Sequence, residues 1–205
     1  MENTLKISLL RNYIDEGKVN RKLLTYDSKP YFHFLKYFED LTSIEEHHFY
    51  IGTSFAYSWM PTMLKTLACN EDVLRILNYV KKGGDVDEND LKVLSVSINN
   101  SLVGVSKILH FIAPHRYAIW DSRVYRSIFL REYYMDKKGI YQEFIAYINC
   151  ARQLIQSPEY DVVHNYILEQ SRIKSHDVTK ISKLRSLEVV LYATDHENKK
   201  SKPQK

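Results

Sequence analysis

Two side chains able to do nucleophile and acid–base chemistry stand fourteen positions apart, Lys107 and Asp121. Between them run the end of a helical stretch, a proline at Pro114 and the short apolar piece Tyr117-Ala118-Ile119-Trp120. A lysine one turn into a helix and a carboxylate capping the next helix can face one cleft if the connector doubles back. As an N-cap, Asp121 is held by backbone N–H groups, which favours its charged form. Lys107 stands among Ile108, Leu109 and Phe111. Apolar surroundings disfavour an ammonium and leave a usable amine nucleophile. Each residue also has a plainer reading, a solvated helix lysine and a structural cap.

Other side chains could surround that pair. Tyr57 and Trp59 lie beside Pro61, and their rings could stack on an extruded base, since every base has a π-face. Packing at a helix end is the competing reading. His110, three residues after Lys107, could line the same cleft or sit packed in the core. Trp120, at the end of the connector, joins them as a substrate-binding candidate. His47 with His48, and His110 with His115, match no established metal spacing. Cys69 and Cys150 are the only cysteines, too few for a cysteine-ligated iron–sulfur cluster. No metal and no cofactor is expected.

The elements that must position these residues read as helices. Six glycines and five prolines in 205 residues are roughly 5%, against about 12% in an average chain. Sandwiches and doubly wound sheets need many tight turns, so this scarcity argues for an all-α chain. Helical spacing predicts a first helix through Leu5 and Tyr13, closing near Gly17. Pro30 suits the first turn of the next, with Phe34, Leu35 and Phe38 on one face. Ser43, with Glu46 three residues on, predicts a capped helix running to Pro61. Val73, Leu77 and Val80 predict a helix stopped at Lys81-Lys82-Gly83-Gly84. Leu91, Leu94 and Ile98 mark another, after the acidic cap DVDEND. A short helix is expected over about Val105 to Ile112, ended by Pro114. Asp121 caps the next, Gly139 precedes a long one, and 160–171 and 178–193 read as the last two. The expectation is roughly nine to eleven helices in one domain over residues 1–195, or two lobes with the site's cleft between them. Residues 196–205 read as a disordered basic tail.

At SLVGVSK (101–107) and AIWDSRVYR (118–126) the chain resembles the helix–hairpin–helix DNA glycosylases, the superfamily of endonuclease III and 8-oxoguanine glycosylase. Those proteins carry an L-P-G-V-G hairpin, then a catalytic lysine, then an apolar strand ending in D-[TS]-[HR]-[IV] with an arginine soon after. The segment KILHFIAPHRYAIWDS (107–122) is closer still to uncharacterised bacterial proteins thought to share this fold. Two departures stand out. The second hairpin glycine is missing, and Gly104 lies one residue out of register when the lysines are aligned. The resemblance implies that Lys107 attacks the anomeric carbon of an extruded nucleotide and that Asp121 activates it and stabilises the sugar's developing charge. It implies a Schiff-base lyase activity, or hydrolysis through a water activated by Asp121 if Lys107 points away. It assigns DNA contacts to Gly104, Ser106, Ser122, Arg123 and Arg126, with damaged or modified duplex DNA as the partner, in repair or antiviral defence.

The charge is compatible with a nucleic-acid partner. The formal net charge is +4, a mild basic bias. Between Arg172 and Lys205 stand nine basic and four acidic side chains, so the remainder is near neutral. A basic stretch of this kind can grip phosphates without reading sequence. The N-terminal stretch has acidic residues on both sides of a short apolar run, unlike a signal peptide. A monomeric, cytoplasmic protein with no membrane partner is expected. The competing functions are a non-catalytic DNA-binding module of the same fold and an all-α protein-interaction domain.

Overall fold

A computed structural model describes residues 10, 15, 29–58, 60, 62–134, 138–170 and 181–200. Nine α-helices and no strand occur among them, which is the all-α class that scarce glycine and proline imply. The predicted helix through Leu5 and Tyr13 lies outside the described residues, apart from Leu10 and Asp15. No helix among the described residues is long and apolar enough to cross a membrane. The chain divides into two compact units. The first holds Pro30–Ile119 and Met135–Ile145, and the second Met1–Lys29, Trp120–Tyr134 and Ala146–Lys205.

In the first unit, α1 (Lys29–Asp40) starts with Pro30 in its first turn, where a missing N–H costs nothing. Tyr31, Leu35 and Phe38 are buried. Helix α2 (Glu46–Tyr57) is capped at Glu45, not at Ser43 as its sequence suggests. Ile44 explains the difference. It is buried, and the Asn78 side chain bonds both its N–H and its carbonyl at 2.8 Å. The chain must therefore turn at residue 44 before the helix can begin. Helix α3 (Glu71–Lys81) is capped by Asn70, and α4 (Glu88–Ser97) by Asp87 within DVDEND. Lys81 donates to the Phe38 carbonyl at 2.7 Å, closing the C-terminus of α1; burial lowers its pKa.

Helix α5 (Leu102–Ile112) follows α4 after Asn99 and Asn100, both left-handed at φ 57° and 51°. Asparagine tolerates that region better than most residues. The Ser101 side chain accepts from Gly104 N at 3.1 Å, so the helix starts three residues earlier than periodicity places it. Helix α7 (Ile140–Leu154) begins in this unit and continues in the second.

In the second unit, α6 (Ser122–Phe129) packs along α9 (Lys183–Lys200), as does α8 (Tyr160–Gln170). Trp120 is fully buried in an aromatic cluster. Its ring meets Tyr125, Phe129 and Tyr133 edge-on and Tyr147 at a tilt, with centroids 5.3–6.4 Å away. Helix α9 starts five residues later than the predicted 178 and runs to Lys200, into the stretch that composition reads as a disordered tail. Glutamate and lysine in that stretch are strong helix formers, able to extend a helix already nucleated.

Candidate functional site

Lys107 lies on α5 in the first unit and is only 7% exposed. The solvated-lysine reading therefore does not hold. Lysine is almost never fully buried without compensation, so this position has a reason. Helix α5 is buried along nearly its whole length, and the connector Tyr117-Ala118-Ile119-Trp120 that follows is buried too.

Asp121 lies in the second unit as the N-cap of α6, as its sequence position predicts. Oδ1 accepts from Arg123 N at 2.8 Å and Val124 N at 2.9 Å. Oδ2 accepts no hydrogen bond among the described residues. Asp121 is partly exposed.

Of the side chains expected around the pair, several are committed inside the fold. His110 is fully buried, with Nδ1 2.7 Å from the Tyr117 carbonyl and Nε2 2.9 Å from the Tyr31 hydroxyl. A carbonyl only accepts, so Nδ1 carries the proton and, in the neutral ring, Tyr31 donates to Nε2. This is a core histidine joining α1, α5 and the connector. Trp120 is likewise a core aromatic. Tyr57 is buried on α2 against Gly104. A Cβ at position 104 would stand 2.9 Å from the Tyr57 ring and hydroxyl and 3.0 Å from the Ile98 side chain. Burial pushes the Tyr57 hydroxyl's pKa up, opposed by the nearby Ser101 and Asn99 side chains. Trp59 lies outside the described residues.

The expected DNA contacts divide in the same way. Gly104 sits inside α5, so its glycine serves helix contact instead of a hairpin turn. Ser106 is fully buried and donates to the Val103 carbonyl at 2.9 Å. Ser122 and Arg123 open α6 and are partly exposed, with the Arg123 guanidinium 4.5 Å from the centre of the Tyr192 ring. Arg126 forms a bidentate pair with Asp195 of α9 at 2.8 and 2.7 Å, and reaches Glu132 at 3.5 Å. Of the late basic residues, Lys183 pairs with Asp161 and Arg185 with Glu188.

Three residues matter that composition and spacing did not single out. Asn99 builds the turn before α5. Asp195 receives Arg126, and nothing in its local sequence marks it. Tyr147 is fully buried, and its hydroxyl makes no hydrogen bond among the described residues. Burial raises its pKa well above the ordinary value, and the Glu188 and Asp121 carboxylates add to the rise. Glu45, His47 and His48 bring one ligand atom each within 4.8 Å of the others on the surface. His48 Nδ1 already accepts from Glu45 N at 3.1 Å, so its lone pair serves the α2 cap.

Comparisons of the chain with protein-family models, with curated proteins and with solved structures find no match.

Proposed function

We propose that the chain is a DNA glycosylase of the helix–hairpin–helix type that excises a damaged or modified base and carries abasic-site lyase activity. The observation that carries this reading is the buried Lys107. Burial on a largely apolar helix holds its nitrogen away from bulk water, in a place suited to a nucleophile. The order of elements supports it. A turn with two left-handed residues leads into the lysine helix, and a buried connector ends in a carboxylate N-cap.

The roles follow from the chemistry. An extruded nucleotide loses its base as the N-glycosidic bond breaks, with positive charge developing on the sugar. In this reading the Asp121 carboxylate stabilises that charge. The Lys107 amine bonds to C1′, and the base leaves with the electron pair of the broken bond and takes up a proton. Opening of the sugar gives an imine, and loss of the proton at C2′ expels the 3′ phosphate. Ser122 and Arg123, at the exposed start of α6, are the phosphate contacts in this reading.

Base release from duplexes carrying damaged or modified bases tests it, with free base measured by mass spectrometry. Release by the wild type should fall about a hundredfold or more in Asp121→Asn. Release unchanged in that variant would overturn the reading. Salt-dependent duplex binding without base release from any substrate would instead favour a non-catalytic module.

A further inference from the structure

The start of α2 gathers three metal-ligating side chains that the proposed reaction does not use. Glu45 is the N-cap, and His47 and His48 lie in the first turn. Glu45 and His47 are exposed and His48 is half-buried. Each offers one donor atom, and the three atoms lie within 4.8 Å of one another. His47 Nδ1 stands 3.7 Å from Glu45 Oε2. The His47 and His48 ring centroids are 3.8 Å apart, although adjacent positions of a helix do not ordinarily face each other. The spacing of the two histidines alone matches no metal motif. The third member comes from the turn that Asn78 imposes at Ile44, which makes Glu45 the cap.

The cap explains the convergence. The His48 ring swings back so that Nδ1 accepts from Glu45 N at 3.1 Å. In the neutral ring this puts the lone pair on Nδ1, beside Glu45, and the proton on Nε2. The Tyr37 ring of α1 meets the His48 ring edge-on at 6.2 Å and helps to fix it. An ion bound here takes the Nδ1 lone pair from the Glu45 N–H, at an exposed position where water can replace it as partner. Zinc bonds to imidazole nitrogen and carboxylate oxygen are about 2.0–2.2 Å, which places tetrahedral ligands about 3.3–3.6 Å apart. The pair at 3.7 Å already approaches this, and rotation of exposed side chains closes the rest. Two imidazoles and a carboxylate suit zinc and its transition-metal neighbours, whereas calcium and magnesium take oxygen ligands. The positive end of α2 opposes a cation, and the Glu45 and Glu46 carboxylates offset it.

We propose that Glu45, His47 and His48 form a binding site for a divalent ion of the zinc class, with a fourth position left to water. Binding ties the N-cap to the first turn and stabilises the start of α2, which packs on α5, the helix of Lys107. The site stands independently of the glycosylase reading, because none of its residues takes part in that reaction.

Zinc alone, titrated calorimetrically into the chelator-treated full-length chain, tests the site. Wild type should bind one equivalent, and its melting temperature should rise with zinc. His47→Gln should weaken binding at least about tenfold and lose that rise. Without zinc the two should melt together, because the His47 side chain is exposed. Glu45→Gln, which keeps a side chain of the same length, should weaken binding too. His115→Gln removes another exposed histidine and should bind as wild type does. No binding by wild type, equal binding by His47→Gln, or a loss in His115→Gln as large as in His47→Gln would overturn the site. Base release is a separate readout, so failure of the site leaves the glycosylase reading standing.

Discussion

At the scale of the residue, Lys107 and Asp121 present opposite solutions to placing a charged group. The lysine is withdrawn from water. The aspartate stays partly exposed and is tethered through one oxygen to two backbone N–H groups. Lys107→Met retains the apolar length of the side chain, so the variant should fold, by circular dichroism, and form no covalent DNA adduct. Tyr147 gives a cleaner test of the surrounding core. A buried hydroxyl without a hydrogen-bond partner is destabilising by about 1–3 kcal/mol. Tyr147→Phe should therefore raise the urea midpoint and leave base release unchanged; a drop in activity would show that the hydroxyl takes part in chemistry. These two roles were unequally legible. The N-cap role of Asp121 follows from residue type and position. Burial of Lys107 depends on what packs over α5, which no local pattern reveals, and the same holds for His110 and Trp120.

At the scale of the element, α6 is short, at eight residues, and α9 holds it. The Arg126–Asp195 pair, the Ser127 hydroxyl on the Leu191 carbonyl at 2.6 Å and Arg123 over Tyr192 all join the two helices. Asp195→Ala leaves the Arg126 charge without its main acceptor and should cost about 3 kcal/mol in urea unfolding. Replacing both partners by leucine should cost less than this single change. Equal losses in the single and double variants would show that the pair contributes little. On α5, Gly104→Ala gains helix propensity of up to about 1 kcal/mol but forces a methyl into Tyr57 and Ile98. Overpacking of about 1–3 kcal/mol should outweigh the gain, so the melting temperature should fall. Most helices could be read from periodicity and capping residues, including those that start at Asp87 and Asp121. The errors came where tertiary contacts decide: the turn at Ile44 fixed by Asn78, and the early start of α5 at Ser101. Long-range partners such as Asp195 for Arg126 leave no trace in local spacing.

At the scale of the whole molecule, the all-α class was legible because it depends on composition, which averages over local errors. The charge distribution was legible only as a count. Lys183 and Arg185, two of the late basic residues, are spent on internal pairs, so that stretch offers fewer free cations than its sequence suggests. Stability should also depend on pH through His164. Burial lowers its pKa below the ordinary value near 6.5, helped by Lys183 and opposed by Asp161, while Nδ1 meets the Ser186 hydroxyl at 2.7 Å. The unfolded chain then binds the proton more readily than the folded one. The stabilising contribution is complete above about pH 6.5 and is lost as the pH falls through the lower folded value. The urea midpoint should therefore decline from pH 7.5 to 5, and His164→Gln should flatten that decline.

The central claim is that Lys107 forms a bond to the sugar of a nucleotide. Borohydride trapping on duplex DNA with an abasic site tests it most directly, because an abasic site is the common product whichever base is excised. The lysine amine condenses with the C1′ aldehyde, water leaves, and hydride reduces the imine to a stable amine link. Wild type should give a covalent protein–DNA band that maps to Lys107 by peptide mass and is absent in Lys107→Met. No band with wild type, or an undiminished band with Lys107→Met, would contradict the account.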